Sequence, residues 1–364
     1  MCIRDRLQSF GGSIKAQKRV YDTLTRGVQL IKRKILSILI FLKKHKWAFG
    51  IIFLIIVFAY GYNLTNFSLG VDEERDIVRS VGSMENVKEL LYREGRYGLY
   101  LFRMLETLDG SFTVFVEEFL SVIFIFGNIV VWAKSLDVVT EHKIRESALV
   151  AFGGMMATLP YVNAEIMCYS IMNAGVYFSI MLMSTALYLV TTATQTKRKS
   201  RLIIAVILII SGLFCSEAHN AWFLAGTVFI VLTWVIANPS VQWKQCISRV
   251  LYYAFTFIIA FAGYMVIQKV VGTNGYVGEY FHWQDDTPLN LIKNIFSWIW
   301  TMLTNEGLPG AVYLLVGLFV FCGFLVVYVL SQNVSRACMT LLLSVCLFLT
   351  PFSLCFISGS RMPY

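Results

Sequence analysis

Apolar residues in this chain fall into long unbroken runs separated by short polar stretches, not into the striped or alternating patterns of a soluble fold. The runs cover positions 47–62, 113–133, 147–161, 166–191, 202–215, 221–237, 250–268, 310–330 and 337–358. A helix of about 20 apolar residues crosses the hydrocarbon core of a bilayer. A helix also satisfies all of its own backbone polar groups there. The pattern therefore predicts an all-α fold, a polytopic transmembrane helical bundle of about nine spans. Two other apolar stretches do not fit a span. Residues 35–42 are too short and are bracketed by Lys32-Arg33-Lys34 and Lys43-Lys44-His45-Lys46, which predicts a basic helix lying on an anionic membrane surface. Residues 289–306 have helical periodicity and two tryptophans, but Lys293 and Asn294 oppose full insertion, which predicts an interfacial or re-entrant helix. The chain thus divides into a basic tail, 1–46, and a membrane domain, 47–364, with large loops at about 63–112 and 269–309.

Composition sharpens this picture. The 364 residues are 57% hydrophobic and 15% charged, with a mean hydropathy of +0.66, whereas a soluble domain carries about 25% charged residues. The net charge of +9 is unevenly distributed. With the N-terminus inside, the inner segments 1–46, 134–146, 197–201, 244–249 and 331–336 sum to +17 and the remainder to −8. Basic loops stay cytoplasmic. The charge is therefore an orientation signal and not a sign of a nucleic-acid partner. It predicts a multi-pass protein of the cytoplasmic (plasma) membrane with its N-terminus in the cytoplasm. The eight cysteines are scattered, with no C-x-x-C and no zinc-type spacing, so neither a disulfide framework nor a zinc site is expected.

The densest charge outside the tail lies in the first large loop, in Asp72-Glu73-Glu74-Arg75-Asp76. Such a cluster can be a solvated acidic loop. It can also supply a general base, since a carboxylate within hydrogen-bond reach takes the proton from an attacking hydroxyl. Or it can hold a divalent cation such as Mg²⁺ or Mn²⁺ through oxygen ligands. The spacing does not choose between base and metal ligand. About twenty residues on comes Gly95-Arg96. Glycine permits close backbone approach, and the arginine fork matches a phosphate bidentately, or snorkels at a helix end. Other ionisable residues fall at the same ends of the predicted spans: Glu117, Glu118, Glu165, Glu217 and His219. The run 202–215 is short, about 21 Å as a helix against a hydrocarbon core of about 30 Å. Glu217 and His219 should therefore be recessed in a polar cavity, hydrogen-bonded to each other or holding a substrate. No P-loop, G-x-S-x-G or H-E-x-x-H is present.

A span, then an outer loop with paired carboxylates and a nearby Arg, then Gly-Arg about twenty residues later, resembles the C-type (GT-C) glycosyltransferases. VDEER followed by EGRYG and a long apolar run looks more closely like the type-II O-antigen glucosyltransferase (Gtr) family. The matching positions are Asp72, Glu73, Arg75 and Gly95-Arg96. Glu73 stands where Asp is more usual. The family runs on with more spans beyond the point where this chain stops, so the chain is expected to be truncated at its C-terminus, with Arg361 a surviving candidate for substrate binding.

The resemblance implies transfer of glucose, or another hexose, from a polyprenyl-phosphate carrier to a surface glycan such as O-antigen or cell-wall polysaccharide, on the outer face of the membrane. Asp72 or Glu73 would be the base, Arg75 and Arg96 the phosphate-side groups, and Glu165, Glu217, His219 and Arg361 further substrate-binding candidates. A flippase and a donor-synthesising glycosyltransferase would be partners. The competing reading is a transporter or flippase for lipid-linked sugar or polysaccharide. Transporters tend to place ionisable residues at the midplane and to carry inverted repeats; here the charges fall at span ends and no repeat is evident. A non-catalytic membrane scaffold is a third reading.

Overall fold

The structure, a computed structural model, describes residues 36–65, 91–92, 94–106, 114–158, 173–196, 198–271, 282–283, 285–301, 311–330 and 332–359. It divides into two units, Met1–Gly50 and Ile51–Tyr364. In the first, residues 36–44 are helical, and helical hydrogen bonding continues through His45: His45 N–H donates to Phe41 O and Phe49 N–H to His45 O, both at 3.1 Å. Phe41 lies edge-on to His45 and to Phe49, so the basic Lys43–Lys46 stretch is carried on helix and is not a loop. Helix α1 (Lys46–Thr65) starts there.

The second unit is a bundle. Its helices are α2 (Tyr97–Glu106), α3 (Val114–Val139), α4 (Glu146–Ala157), α5 (Asn173–Thr196), α6 (Lys199–Leu213), α7 (His219–Ala237), α8 (Trp243–Val271), α9 (Pro288–Thr301), α10 (Ala311–Leu330), α11 (Val334–Leu349) and the short α12 (Ser353–Ser358). All the regular structure among the described residues is helical. Among the described residues four segments are long and apolar enough to cross a membrane: Phe115–Val139, Asn173–Thr196, His219–Ala237 and Trp243–Val271. Others of the nine predicted runs are apolar helices too, among them α1, α4, α10 and α11.

Helices α5 and α7 are the centre. Helix α5 packs against α2, α3, α6, α7 and α8, and α7 against α3, α5, α8, α11 and α12. The stripe Ile180, Met183, Leu187, Val190 on α5 is fully enclosed, and Phe223 and Ile230 of α7 meet the same core. The 3–4 spacing of these positions is that of one helix face. Gly226 lets α7 approach closely: a Cβ there would lie 2.4 Å from Leu187 Cδ1 and 3.0 Å from the Trp132 ring. Outward faces are equally apolar. Leu251, Phe255, Ile258 and Val266 of α8 and Phe319, Phe324 and Val327 of α10 are exposed, a surface suited to lipid and not to water.

Helix boundaries differ from the hydropathy where charge sits on helix. The run at 250–268 is part of a 29-residue helix that carries Lys244 and Arg249 at one end and Gln268 and Lys269 at the other. Hydropathy stopped at those residues, whereas the backbone hydrogen bonds did not. The run at 166–191 is helical over Asn173–Thr196. The described part of the stretch at 289–306 lies in α9. It buries Leu291, Ile295 and Ile299 on one face, and Ile295 and Ile299 meet Cys355 and Phe356 of α12.

At one end of the bundle basic side chains finish the helices. Arg201 Nη1 donates to Thr192 O at 3.0 Å, and Asn238 Nδ2 to Trp234 O at 2.9 Å and Val139 O at 3.4 Å. Arg336, 2% exposed, donates from Nη2 to Val235 O at 2.9 Å and Ile236 O at 3.0 Å, and from Nε to Val235 O at 3.3 Å. These are the last carbonyls of α7, which lack intrahelical donors and sit at the negative end of the helix dipole. Arg336→Leu should lower stability by about 2–3 kcal/mol, the worth of hydrogen bonds to a charged group plus the carbonyls left bare. A thermal shift of the detergent-solubilised protein reads this. Gly323→Ala, with open space around its Cβ, is the control that should leave the transition unchanged. An unshifted Arg336→Leu transition would refute the capping role.

Candidate functional site

The opposite end of the bundle collects the remaining polar residues, and the EGRYG stretch is fixed onto it. A tight turn leads into α2: Gly95 N–H donates to Tyr92 O at 3.0 Å and Arg96 N–H to Leu91 O at 2.8 Å. Gly95 has φ +71°, and a Cβ there would lie 2.7 Å from both amide atoms of Gln268. Glycine is needed here twice, for the left-handed backbone and for the approach of α8. Gly98 is needed for a different neighbour. Its N–H donates to Phe214 O at 3.0 Å, and a Cβ would meet Cys215 Sγ at 2.5 Å and Cys215 N at 2.9 Å. Between the glycines, Tyr97 packs its ring on Phe214 and on Tyr92.

Under this turn runs a chain of buried hydrogen bonds. Gln268 Nε2 donates to Gly95 O at 3.1 Å and to Tyr264 OH at 2.8 Å. Tyr264 OH donates to Glu217 Oε1. Glu217, Tyr264 and Gln268 are all buried. Beside them His219 Nδ1 lies 2.5 Å from Ser179 Oγ, which also bonds Gly212 O at 3.0 Å. Arg96 is close enough to act on His219 electrostatically. Its Nε pairs with Glu94 at 3.2 Å, and both side chains are partly exposed. Such a pair contributes little energy.

A second buried group adjoins through α2 and α5. Arg103 of α2 pairs with Glu117 of α3 at 3.4 Å, the side chains 3% and 1% exposed. Glu117 Oε1 also accepts the Ala174 N–H at 3.0 Å, at the N-terminus of α5, where a carboxylate is favoured. Glu118 is buried in the same turn of α3. Asn220 Oδ1 accepts from Ser353 Oγ at 3.2 Å, tying α7 to α12.

Three of the residues singled out from sequence therefore meet at one end: Arg96, Glu217 and His219. The expected Glu217–His219 hydrogen bond is replaced by two separate ones, Glu217 to Tyr264 and His219 to Ser179. Helix α6 is only 15 residues long, and Glu217 just beyond it is buried. Asp72, Glu73, Arg75, Glu165 and Arg361 lie outside the described residues. Among the described residues no group of three or more His, Cys, Asp or Glu is placed to hold a metal ion. Sequence reasoning missed Gln268, Tyr264, Ser179 and Arg103. For Gln268 a signal existed, an amide within an otherwise apolar run, but it was taken as the end of a span.

Comparison with known proteins fits this arrangement. The family described as Glucosyl transferase GtrII matches residues 61–363, which includes the acidic cluster, the EGRYG turn and all of the bundle from α2 onward. No curated protein and no solved structure matches the chain. A match over most of the chain, on a helical protein with four helices able to cross a membrane, settles the class: the chain is a membrane glycosyltransferase and belongs to the GtrII glucosyl transferase family.

Proposed function

We propose that the chain moves glucose from a polyprenyl-phosphate carrier to a hydroxyl of a surface glycan, O-antigen or a cell-wall polysaccharide, on the outer face of the cytoplasmic membrane. The observation that carries this reading is the fixing of Gly95-Arg96 at the same end of the bundle as Glu217 and His219, opposite the basic end. A lipid-borne donor presents its phosphate at a membrane rim, and that is where a guanidinium can meet it.

The step balances as follows. Asp72 or Glu73 takes the proton of the acceptor hydroxyl. The acceptor oxygen bonds to the anomeric carbon of glucose as the bond from that carbon to the phosphate oxygen breaks. The electron pair leaves on the phosphate, and polyprenyl phosphate departs. Arg96, with Arg75, stabilises the charge that builds on that phosphate, which is where an electrostatic group has its largest effect on rate. Glu165, Glu217, His219 and Arg361 are candidate sugar-side residues. One oxygen of Glu217 is already committed to Tyr264, which leaves His219 the better placed of the two at this end. A flippase delivering the donor and a synthase making it would complete the system. Arrangement of about nine spans with the N-terminus in the cytoplasm, as in GT-C enzymes, would put the site on the outer side.

Three outcomes are expected in membranes supplied with labelled polyprenyl-phosphate glucose and glycan acceptor. Asp72→Asn combined with Glu73→Gln should reduce transfer at least about a hundredfold at unchanged expression; full retention would sink the assignment of the base. Arg96→Ala should cost about a hundredfold in kcat. Gly98→Ala forces a carbon onto the backbone of Cys215, so it should displace the EGRYG turn and cut transfer about tenfold or more while the thermal transition of the bundle moves little. Transfer at the wild-type rate would show that the turn need not dock there.

A further inference from the structure

The reaction scheme above leaves Gln268 unused, although it is 2% exposed and sits in the last turns of an apolar helix. With Glu217 as the carboxylate, its hydrogen bonds have one consistent direction. A carbonyl can only accept, so the bond to Gly95 O uses one Nε2–H. The Tyr264 hydroxyl has a single hydrogen, and a carboxylate can only accept, so that hydrogen goes to Glu217 and the Tyr264 oxygen accepts the second Nε2–H. Both donors of the amide nitrogen are thereby committed.

The target of the first donor matters most. Gly95 C=O and Arg96 N–H belong to the same planar peptide unit. Gln268 holds its oxygen at 3.1 Å and Leu91 O holds its nitrogen at 2.8 Å. A peptide plane bonded at both edges cannot rotate, so the point from which the Arg96 side chain departs is fixed. The Leu91 bond is local to the turn. The Gln268 bond comes from α8 and ties the turn to the bundle, and through Tyr264 to Glu217 just beyond the end of α6.

We propose that Gln268 is a positioning residue for Arg96: with Tyr264 and Glu217 it forms a relay that holds the Gly95–Arg96 peptide so that the guanidinium meets the phosphate of the lipid-linked donor. This rests on the phosphate-side reading of Arg96. It also gives Glu217 a structural task, as the fixed end of the relay, in place of sugar binding. An isosteric Gln268→Glu change would set carboxylate oxygens against the Gly95 carbonyl oxygen and break the relay without altering side-chain volume.

The test is a double-mutant cycle on the full chain in proteoliposomes, with labelled polyprenyl-phosphate glucose as donor. The four proteins are wild type, Gln268→Leu, Arg96→Ala and the double variant. Gln268→Leu should lower kcat about ten- to a hundredfold and leave KM for the glycan acceptor unchanged. In the Arg96→Ala background the same change should have no further effect, because residues acting through one another are non-additive. Tyr264→Phe removes one hydroxyl and no volume. It should give a smaller loss with the same non-additivity, which keeps the test open should Gln268→Leu fail to fold. Losses that multiply in the double variant, or Gln268→Leu and Tyr264→Phe at wild-type kcat beside an impaired Arg96→Ala, overturn the positioning role alone. Arg96→Ala at the wild-type rate overturns the phosphate-side reading itself, and the relay's role with it.

Discussion

A hydrocarbon medium cannot hydrogen-bond a peptide group or solvate a charge, and most of this structure follows from that constraint. Each helix satisfies its own interior. What remains are the orphan groups of the helix termini and the ionisable side chains, and both are driven to the two ends of the bundle. There they satisfy one another: Arg336 takes the last carbonyls of α7, Arg201 a carbonyl of α5, and Glu117 the Ala174 N–H at the start of α5. The cost of a buried charge is the reason Arg103 and Glu117 occur together, since removing either partner would strand the other.

Unequal helix lengths account for the burial of Glu217 at one of those ends. Helix α6 has 15 residues and its neighbour α8 has 29, about 22 Å against about 43 Å. Two packed helices of such different length cannot end at the same height at both ends. The turn after α6 therefore ends against the side of α8, where Glu217 meets the Tyr264 hydroxyl and not water. The EGRYG turn closes over this spot. Its two glycines serve two different walls, Gly95 the Gln268 amide and Gly98 the Cys215 backbone.

The helices were legible because a span needs only length and apolarity, properties of a single window of sequence. Their ends were less legible, because a charged residue ends a hydropathy run without ending a helix, as Arg249 and Lys269 show in α8. The burial of Glu217 was legible for the same reason as the helices, since the short run before it is a local property. Partner choice was not. Gln268 and Gly95 are 173 positions apart, and Ser179 and His219 are 40 apart. Nothing local distinguishes Ser179 from the other hydroxyl residues on α5, most of which bond their own helix, as Thr185 and Thr191 do. The glycine of Gly-Arg was read as permitting close backbone approach, beside an arginine matched to a phosphate. The close approach observed is instead to an amide of the protein.

That substitution of partner changes how the motif is understood. A glycine kept for ligand approach would leave open space beside its α-carbon, and Gly95 does not: the Gln268 amide fills it. The glycines are thus the receiving surface of a docking contact, and the arginine between them is the group being presented. A turn held only by its own local bonds could settle in several orientations. Anchoring it to two bundle elements removes that freedom before any substrate arrives. The entropy of ordering is then borne by folding and not by the Michaelis complex, which is the physical reason to find a buried glutamine, tyrosine and glutamate in line beneath an arginine that itself stands partly open.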